Sequence, residues 1–334
     1  MKKRILFLTG TRADYGKLKS LMKKVNENQK FELFVFVTGM HMLSKYGSTF
    51  IEIEKDGFKN LYKFINQCSH STMDIALSNT ISGLSNYVAE LRPDLIVIHG
   101  DRLEALAGAI VGAFNNIKVA HIEGGEVSGT IDESIRHAIT KFSHFHFVAN
   151  KEAKSRVIQL GEKTDSIYVI GSPDIDIMYS KDLPSIKRVK ERYDIVFNNY
   201  SILMYHPVTT EVDNLKNNIK SLVDAVIESG LQYVVIYPNN DIGSDIILDE
   251  YKRFEGNNNI KVYPSIRFEY FLTLLKYSNF IIGNSSAGVR EASVYGVPSI
   301  NVGRRQQGRV NKNGEGYIIN SSDNTKEIVS AIKK

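Results

Sequence analysis

The sequence has one cysteine and no tryptophan among 334 residues, and its 42 Lys and Arg nearly balance 37 Asp and Glu. A single cysteine, Cys68, cannot form an internal disulfide or a cysteine-based zinc site, and we expect it to be a small, partly buried residue. The net charge of +5 is mild, and no block of Lys and Arg alternates with aromatic residues as a nucleic-acid groove requires. These absences exclude a disulfide scaffold and disfavour a nucleic-acid partner.

Long apolar segments are also absent. No run approaches the roughly 20 apolar residues that cross a bilayer. The apolar run that follows Lys2, Lys3 and Arg4 stops at Thr9 and Gly10, which makes it too short for a signal peptide. We therefore expect a cytoplasmic protein with no membrane partner.

The common cofactor signatures are missing. In the loop Gly10–Lys17 the two glycines are separated by five residues, and Leu18 stands where a P-loop has Ser or Thr. No G-x-G-x-x-G follows an apolar run, and the eight histidines include no H-E-x-x-H. The sequence therefore gives no sign of a nucleotide P-loop, a dinucleotide cofactor or a zinc site.

Short apolar runs alternate with amphipathic helical stretches along the whole chain. Runs that are apolar on both faces are typical of buried parallel strands. The length predicts two domains, each able to bury its own core. The fold class predicted is α/β, with two doubly wound Rossmann-like domains at residues 1–172 and 173–334. Predicted strands include 4–9, 33–37, 95–98, 118–122, 145–148, 167–170, 202–205, 233–236, 260–263, 280–282 and 299–302, and predicted helices include 103–114, 132–142, 214–228 and 287–294.

Ligands of such sheets bind beyond the carboxyl ends of the strands, where this chain has several carboxylates. They are Asp101, Glu123, Glu126, Asp132 and Glu133. Crowded carboxylates repel, so one should have a raised pKa and carry a proton while another stays ionised, an arrangement that suits reactions through an oxocarbenium-like sugar cation. A Mg²⁺ site is the alternative. We interpret Glu126 and Glu133 as solvated surface charges.

Other loops after strands are suited to anions. Arg12 stands beside a helix N-terminus, which favours a phosphate or carboxylate, although an ordinary turn with a surface arginine is equally consistent. Ser285 and Ser286 open another predicted helix and could meet a diphosphate, with an N-cap as the alternative for Ser285. Glu291, further along that helix, could accept bonds from a ribose diol. Three arginines follow in the loop 303–309, and His206 follows the first strand of the second domain.

Taken together, these loops resemble the hydrolysing UDP-N-acetylglucosamine 2-epimerases of sialic-acid biosynthesis. The matching segments span nearly the whole chain in order: 9–16, 37–41, 100–102, 121–126, 130–137, 205–207, 283–286 and 303–306. The Arg12-Ala13-Asp14-Tyr15 segment resembles the hydrolysing branch, because the non-hydrolysing enzymes usually have Arg-Pro-Glu there.

The resemblance implies a glycosyltransferase-B-like fold with the active site in the interdomain cleft, the sugar facing the first domain and the nucleotide held by the second. It implies anti elimination of UDP to 2-acetamidoglucal, followed by hydration to N-acetylmannosamine, with no metal and no cofactor. It assigns catalysis to Asp101, Glu123, Asp132 and His206. It assigns substrate and nucleotide binding to Arg12, Asp14, Asn284, Ser285, Ser286, Glu291, Arg304 and Arg309.

Several readings remain open at this stage. A related branch acts on UDP- or GDP-linked 2,4-diacetamido-2,4,6-trideoxy-glucose on the way to legionaminic acid, and the motifs do not separate the two. A glycosyltransferase of the same fold and a non-catalytic sugar-nucleotide sensor are further alternatives. The resemblance also implies a homo-oligomer, either a dimer or a tetramer. Members usually continue with another helix beyond the position of Lys334, and its absence would weaken domain closure.

Overall fold

The computed structural model describes residues 2–68, 71–128, 131–208, 211–306 and 317–334. These residues form two compact units. The first contains residues 2–126 and 131–179, and the second contains the described residues from Ser180 to Lys334 together with Val127 and Ser128. The division falls after Tyr179, whereas the sequence placed it after residue 172. The difference is the helix Pro173–Met178, which packs against the first helix of the first unit.

The first unit is built on a parallel seven-stranded sheet. Its strands are β1 (Lys3–Thr9), β2 (Phe31–Val37), β3 (Leu61–Lys63), β4 (Leu95–His99), β5 (Lys118–Ile122), β6 (Phe145–Val148) and β7 (Ile167–Val169). They lie in the order β3-β2-β1-β4-β5-β6-β7. Ile5 of β1 is in register with Leu33 of β2 on one side and with Leu95 of β4 on the other.

Helices cover both faces of this sheet, so its strands are apolar on both sides. They are α1 (Arg12–Glu27), α2 (Phe50–Lys55), α3 (Met73–Leu91), α4 (Leu103–Phe114), α5 (Ile131–Phe142), α6 (Lys151–Gln159) and α7 (Pro173–Met178). One core, around Phe7 and Leu18, lies between the sheet and α1. A second, around Leu6 and Ala109, lies on the opposite face.

The second unit repeats the plan with a parallel six-stranded sheet in the order β10-β9-β8-β11-β12-β13. Its strands are β8 (Ser201–Met204), β9 (Tyr233–Ile236), β10 (Ile260–Tyr263), β11 (Ile281–Gly283), β12 (Ser299–Val302) and β13 (Ile318–Ser321). Its helices are α8 (Ile186–Tyr193), α9 (Val212–Ser229), α10 (Ser244–Tyr251), α11 (Phe268–Lys276), α12 (Ser286–Val289), α13 (Glu291–Tyr295) and α14 (Thr325–Ile332).

The strand order of each sheet reverses at one point, and ligands of doubly wound sheets bind beside that point. In the first unit the reversal lies between β1 and β4, so the segments after Thr9 and after His99 are neighbours. In the second unit it lies between β8 and β11, which brings together the segments after Met204 and after Gly283. The topology therefore selects four loops for closer inspection.

The predicted fold class, two doubly wound α/β units, is confirmed. Two details of the sequence interpretation are wrong. Cys68 is exposed, because it lies in the irregular connection between β3 and α3, where its main-chain N–H bonds the Ser71 hydroxyl at 3.0 Å. The helix predicted over 287–294 is two short helices, which meet at Arg290. None of the helices in the described ranges combines the length and the apolar character of a bilayer-spanning segment.

Candidate active site

The loop after β1 is shaped by a capping box at the start of α1. Thr11, the N-cap residue, accepts a hydrogen bond from the main-chain N–H of Asp14 at 3.2 Å. The Asp14 carboxylate accepts bonds from the main-chain N–H groups of Gly10 at 3.0 Å and Thr11 at 3.2 Å, and from the Thr9 hydroxyl. Asp14 therefore fixes the loop, and its charge also suits the positive end of the helix dipole.

The guanidinium of Arg12 is paired with α2. Its Nε lies 3.0 Å from Oε2 of Glu52, and its Nη2 lies 2.5 Å from Oε1. This two-point geometry is the strong form of an arginine–carboxylate pair. In this structure Glu52 therefore compensates the charge of Arg12.

His41 is fully buried beneath the same loop. Its Nε2 lies 3.0 Å from Oγ1 of Thr9, and its Nδ1 lies 2.6 Å from Oγ1 of Thr49. Burial lowers the pKa of His41 to about 4, an effect that the nearby Asp14 only partly opposes. His41 is therefore neutral near pH 7 and links the end of β1 to the segment after β2 by hydrogen bonds.

Glu104, on the first turn of α4, is a buried carboxyl group under this loop. Its side chain is 1% exposed, and both oxygens lack a hydrogen bond of normal geometry among the described residues. A Cβ atom on Gly10 would come within 2.9 Å of the Glu104 carboxyl carbon, and one on Gly39 within 2.6 Å of its Oε1. Burial raises the pKa of Glu104, and Arg102, with its Nε 3.7 Å from Oε2, opposes the shift.

Glu123 directly follows β5 and is the centre of a buried charged cluster. Its side chain is 2% exposed. Its Oε2 lies 3.1 Å from Nε2 of His99, and its Oε1 accepts a hydrogen bond from the Ser172 hydroxyl and lies 3.7 Å from Nζ of Lys17. Lys17 also reaches Oδ2 of Asp174 at 3.3 Å. We call these five residues the Glu123 cluster.

The backbone of Glu123 is itself unusual, with φ of +62°. A non-glycine residue in this left-handed region is strained, and such strain persists where the surrounding structure imposes it. Here the side chain is held by the Glu123 cluster, and the carbonyl accepts a 2.6 Å hydrogen bond from Nη1 of Arg136. The strain therefore lies at the residue that the sequence analysis assigns to catalysis.

Arg136, a buried residue of α5, joins the ends of β4 and β5. While its Nη1 bonds the Glu123 carbonyl, its Nη2 donates to Oδ2 of Asp101. Asp132 lies one turn earlier on α5, at the i−4 position of Arg136, and so shares its helix face. The structure thus brings Asp101 and Glu123 to one guanidinium and places Asp132 on the same side of α5.

His121 supports the turn that carries Asp101. Its Nε2 lies 2.8 Å from the carbonyl of Gly100, and its Nδ1 lies 3.2 Å from Oγ1 of Thr140. Burial lowers the pKa of His121 to about 3, so the ring is neutral. Within the described ranges, no group of three or more His, Cys, Asp or Glu residues is arranged to hold a metal ion.

In the second unit, Asn284 holds His206 at the reversal point of the sheet. The Asn284 side chain accepts from the main-chain N–H of His206 at 2.7 Å and donates to its carbonyl at 2.8 Å. Gly283, before Asn284, has φ of +132°, and a Cβ there would come within 2.0 Å of the Met204 carbonyl oxygen. Both polar atoms of the Asn284 amide are thus used within the protein.

The two serines after Asn284 are used differently. The Ser285 hydroxyl caps α12 by accepting from the main-chain N–H of Ala287 at 3.3 Å. Ser286 is half-buried, and its hydroxyl makes no hydrogen bond to another described residue.

The remaining predicted nucleotide-binding residues surround these loops. Glu291 is 5% exposed at the start of α13, whereas Arg304 is exposed. Next to Arg304, the buried Arg305 donates to the Asn284 carbonyl at 3.3 Å, and Gln306 donates to the same carbonyl at 2.8 Å. Arg309 lies outside the described residues.

Comparison with known proteins extends these observations. A family model described as UDP-N-acetylglucosamine 2-epimerase matches residues 23–334. The chain is 49% identical over 332 residues to the UDP-N-acetylglucosamine 2-epimerase of Neisseria meningitidis serogroup B, covering 99% of this chain and 87% of that protein. This chain belongs to the UDP-N-acetylglucosamine 2-epimerase family.

Two further similarities define its position among UDP-N-acetylglucosamine 2-epimerases. The UDP-N,N'-diacetylbacillosamine 2-epimerase (hydrolyzing) of Legionella pneumophila is 34% identical over 310 residues, 92% of this chain and 82% of that protein. The crystal structure of the Methanocaldococcus jannaschii UDP-GlcNAc 2-epimerase in complex with UDP-GlcNAc and UDP superposes with a TM-score of 0.84 at 22% identity, covering 99% of this chain and 92% of that chain. The second similarity shows the shared fold.

Sequence reasoning missed five residues that the epimerase fold brings to the predicted carboxylates. They are Lys17, His99, Arg136, Ser172 and Asp174. One available signal was Lys17, a charged residue directly before the apolar Leu18 on α1. Ser172 and Asp174 were interpreted as the start of a domain connection, so their contact with the end of β5 was not foreseen.

Proposed function

We propose that this chain is a hydrolysing UDP-N-acetylglucosamine 2-epimerase that converts UDP-N-acetylglucosamine and water into N-acetylmannosamine and UDP. The observation that carries the proposal is the Arg136-linked pair of carboxylates, Glu123 and Asp101, at the carboxyl ends of adjacent strands. The 49% identical relative from Neisseria meningitidis supports the substrate.

The proposed reaction has two stages. In the first, the bond between C1 and the diphosphate oxygen breaks, a carboxylate removes the proton from C2, and UDP leaves together with its bonding electrons. In the second, water adds its hydroxyl to C1 of the resulting 2-acetamidoglucal, and a carboxylic acid returns a proton to the opposite face of C2. Since the hydrogen on C2 is only weakly acidic, the site must stabilise a cationic ring and a departing dianion.

The charges of the first unit suit this chemistry. Glu123 and Asp174 share one ammonium, Lys17, and Asp101 is paired with Arg136. Carboxylates held by cations stay ionised more readily, which favours the ring cation and provides a base, while Asp132 completes the set. We assign the sugar chemistry to the first unit and the nucleotide to the second.

In the second unit we propose that His206 assists the leaving diphosphate and that Ser285 and Ser286 bind phosphate. Arg12, Arg304 and Arg309 add positive charge toward phosphate. Glu291 binds the ribose, while Asp14 and Asn284 contribute by shaping their loops. We further propose that the protein is a homo-oligomer, dimer or tetramer, which light scattering of the purified chain would test.

The proposal is tested by incubating the purified chain with UDP-N-acetylglucosamine alone and separating the products by anion exchange. We expect UDP and free N-acetylmannosamine in equal amounts. A glycosyltransferase without an acceptor would leave the sugar configuration unchanged, and a sensor would bind without turnover. Either result would overturn the proposed activity.

A second candidate is the same reaction on a UDP- or GDP-linked 2,4-diacetamido-2,4,6-trideoxy sugar. The 34% identical relative from Legionella pneumophila, named for a diacetylbacillosamine substrate, favours including it. Parallel reactions with both sugar nucleotides at equal concentration discriminate the two. A larger kcat/KM for the diacetamido sugar would transfer the assignment to this second substrate.

A further inference from the structure

The imidazole of His206 is held by the main chain of a neighbouring loop. The main-chain N–H of Asn239, three residues after β9, donates a 3.0 Å hydrogen bond to Nδ1 of His206. A ring nitrogen that accepts a hydrogen bond uses its lone pair and carries no proton. In the neutral ring the proton must therefore be on Nε2.

The backbone of His206 is fixed as firmly as its ring. Asn284 bonds both the N–H and the carbonyl of His206, at 2.7 and 2.8 Å, and the Asn284 carbonyl is itself held by Arg305 and Gln306. The segments after β8, β9 and β11 thus meet on one histidine that is 5% exposed. A main-chain donor cannot rotate away as a side-chain donor can, so the preference for one tautomer is built into the backbone.

We propose that Asn239, through its main-chain N–H, and Asn284 are positioning residues that keep His206 as the Nε2–H tautomer. His206 then acts as a fixed hydrogen-bond donor to an anionic diphosphate and retains its proton throughout the reaction. This inference rests on the proposed function for its role but not for its geometry. A donor aimed at oxygens that gain charge as a bond breaks stabilises the transition state more than the ground state.

The geometry is tested without turnover by nitrogen-15 NMR of the full chain labelled at histidine, with a His206→Gln spectrum to assign the signals. We expect the Nδ1 resonance of His206 in the range of an unprotonated nitrogen and Nε2 in the range of a protonated one, with and without UDP. A protonated Nδ1, or a ring protonated on both nitrogens near pH 7, would overturn the inference. It would leave the proposed reaction standing.

A matched pair of variants isolates the main-chain donor. Asn239→Pro removes the N–H, whereas Asn239→Ala removes only the side chain and should keep the NMR signature of the wild-type tautomer. We expect Asn239→Pro to place part of the population in the Nδ1–H tautomer and to lower kcat relative to Asn239→Ala by about 10- to 100-fold, with a smaller change in KM.

Equal kcat for the two variants, with the tautomer changed, would show that the position of the ring proton is irrelevant to the reaction and would overturn the proposed role. If Asn239→Pro does not fold, as judged by circular dichroism, the wild-type spectrum still decides the tautomer. A correct tautomer in a protein that turns over neither sugar nucleotide would instead refute the proposed function.

Discussion

Glu123 combines three features that seldom occur together in a structural residue: a buried carboxylate, a strained backbone and contacts to both an ammonium and an imidazole. Strain of this kind costs of order 1–3 kcal/mol and clusters at active sites. Holding the carboxylate in one orientation beside Arg136 gives the site a defined base. The position of Glu123 thus supports its proposed role more directly than its residue type does.

Replacing either carboxylate should abolish most turnover while the fold survives. Asp101→Asn and Glu123→Gln keep the side-chain shape but remove the charge and the ability to exchange a proton. We expect kcat to fall by about 10²–10⁴-fold in each variant, with UDP affinity little changed. Steady-state kinetics and calorimetric UDP titration measure the two quantities.

The control for these variants is Glu133→Gln. Glu133 is also on the first turn of α5, but its side chain is 35% exposed and only 3.8 Å from His137, outside the Arg136 contacts. This control should keep wild-type turnover. Near-normal kcat in Asp101→Asn or Glu123→Gln would remove that residue from the catalytic set.

Glu104 gives a prediction about stability and pH. Because burial raises its pKa in the folded chain above that in the unfolded chain, the unfolded state releases the proton at lower pH. Its stabilising contribution is present below the unfolded pKa and is lost as pH rises through the folded value. We therefore expect Glu104→Gln to become progressively more stable, relative to wild type, as the pH rises from about 4 to 8.

Urea unfolding at several pH values measures this difference. Glu27→Gln is the control, since Glu27 is a 64% exposed carboxylate at the end of α1, and its difference from wild type should change less with pH. A Glu104→Gln difference that stays constant with pH would show that Glu104 ionises equally in both states.

At the scale of single elements, α12 separates two roles that its sequence leaves together. Ser285 caps the helix, while the Ser286 hydroxyl makes no hydrogen bond to another described residue. Ser286→Ala should therefore weaken UDP binding by about 1 kcal/mol or more, roughly a fivefold rise in Kd, without a loss of thermal stability. Ser285→Ala should lower stability as well, through the lost cap.

Calorimetry with UDP and thermal melting distinguish these two effects. If Ser286→Ala binds UDP as tightly as wild type does, the diphosphate contacts other residues. If Ser285→Ala melts at the wild-type temperature, its cap contributes nothing measurable to the second unit.

The elements that sequence reasoning found and missed differ in length and pattern. Buried strands such as β2 and β9 are continuous apolar runs, which no surface element imitates. β3 has three residues and β13 has four, both at sheet edges, where the pattern Leu-Tyr-Lys or Ile-Ile-Asn-Ser is too short to stand out. The kink between α12 and α13 is likewise a tertiary feature that helical periodicity does not encode.

At the scale of the whole molecule, the carboxyl ends of parallel strands made the candidate site partly predictable. Asp101 and Glu123 follow adjacent strands, so topology alone brings them together. Their partners come from distant segments: Arg136 from α5, Lys17 from α1 and Asp174 from α7. Side-chain packing decides these contacts, and no spacing rule in the sequence specifies them.

The central claim, elimination followed by hydration, is tested most directly by proton NMR of the purified chain with UDP-N-acetylglucosamine in D₂O. The account predicts that UDP appears together with N-acetylmannosamine that carries deuterium at C2, because solvent supplies the returned proton. N-acetylmannosamine that retains the original hydrogen at C2 would contradict elimination, and release of UDP with free N-acetylglucosamine would show simple hydrolysis instead.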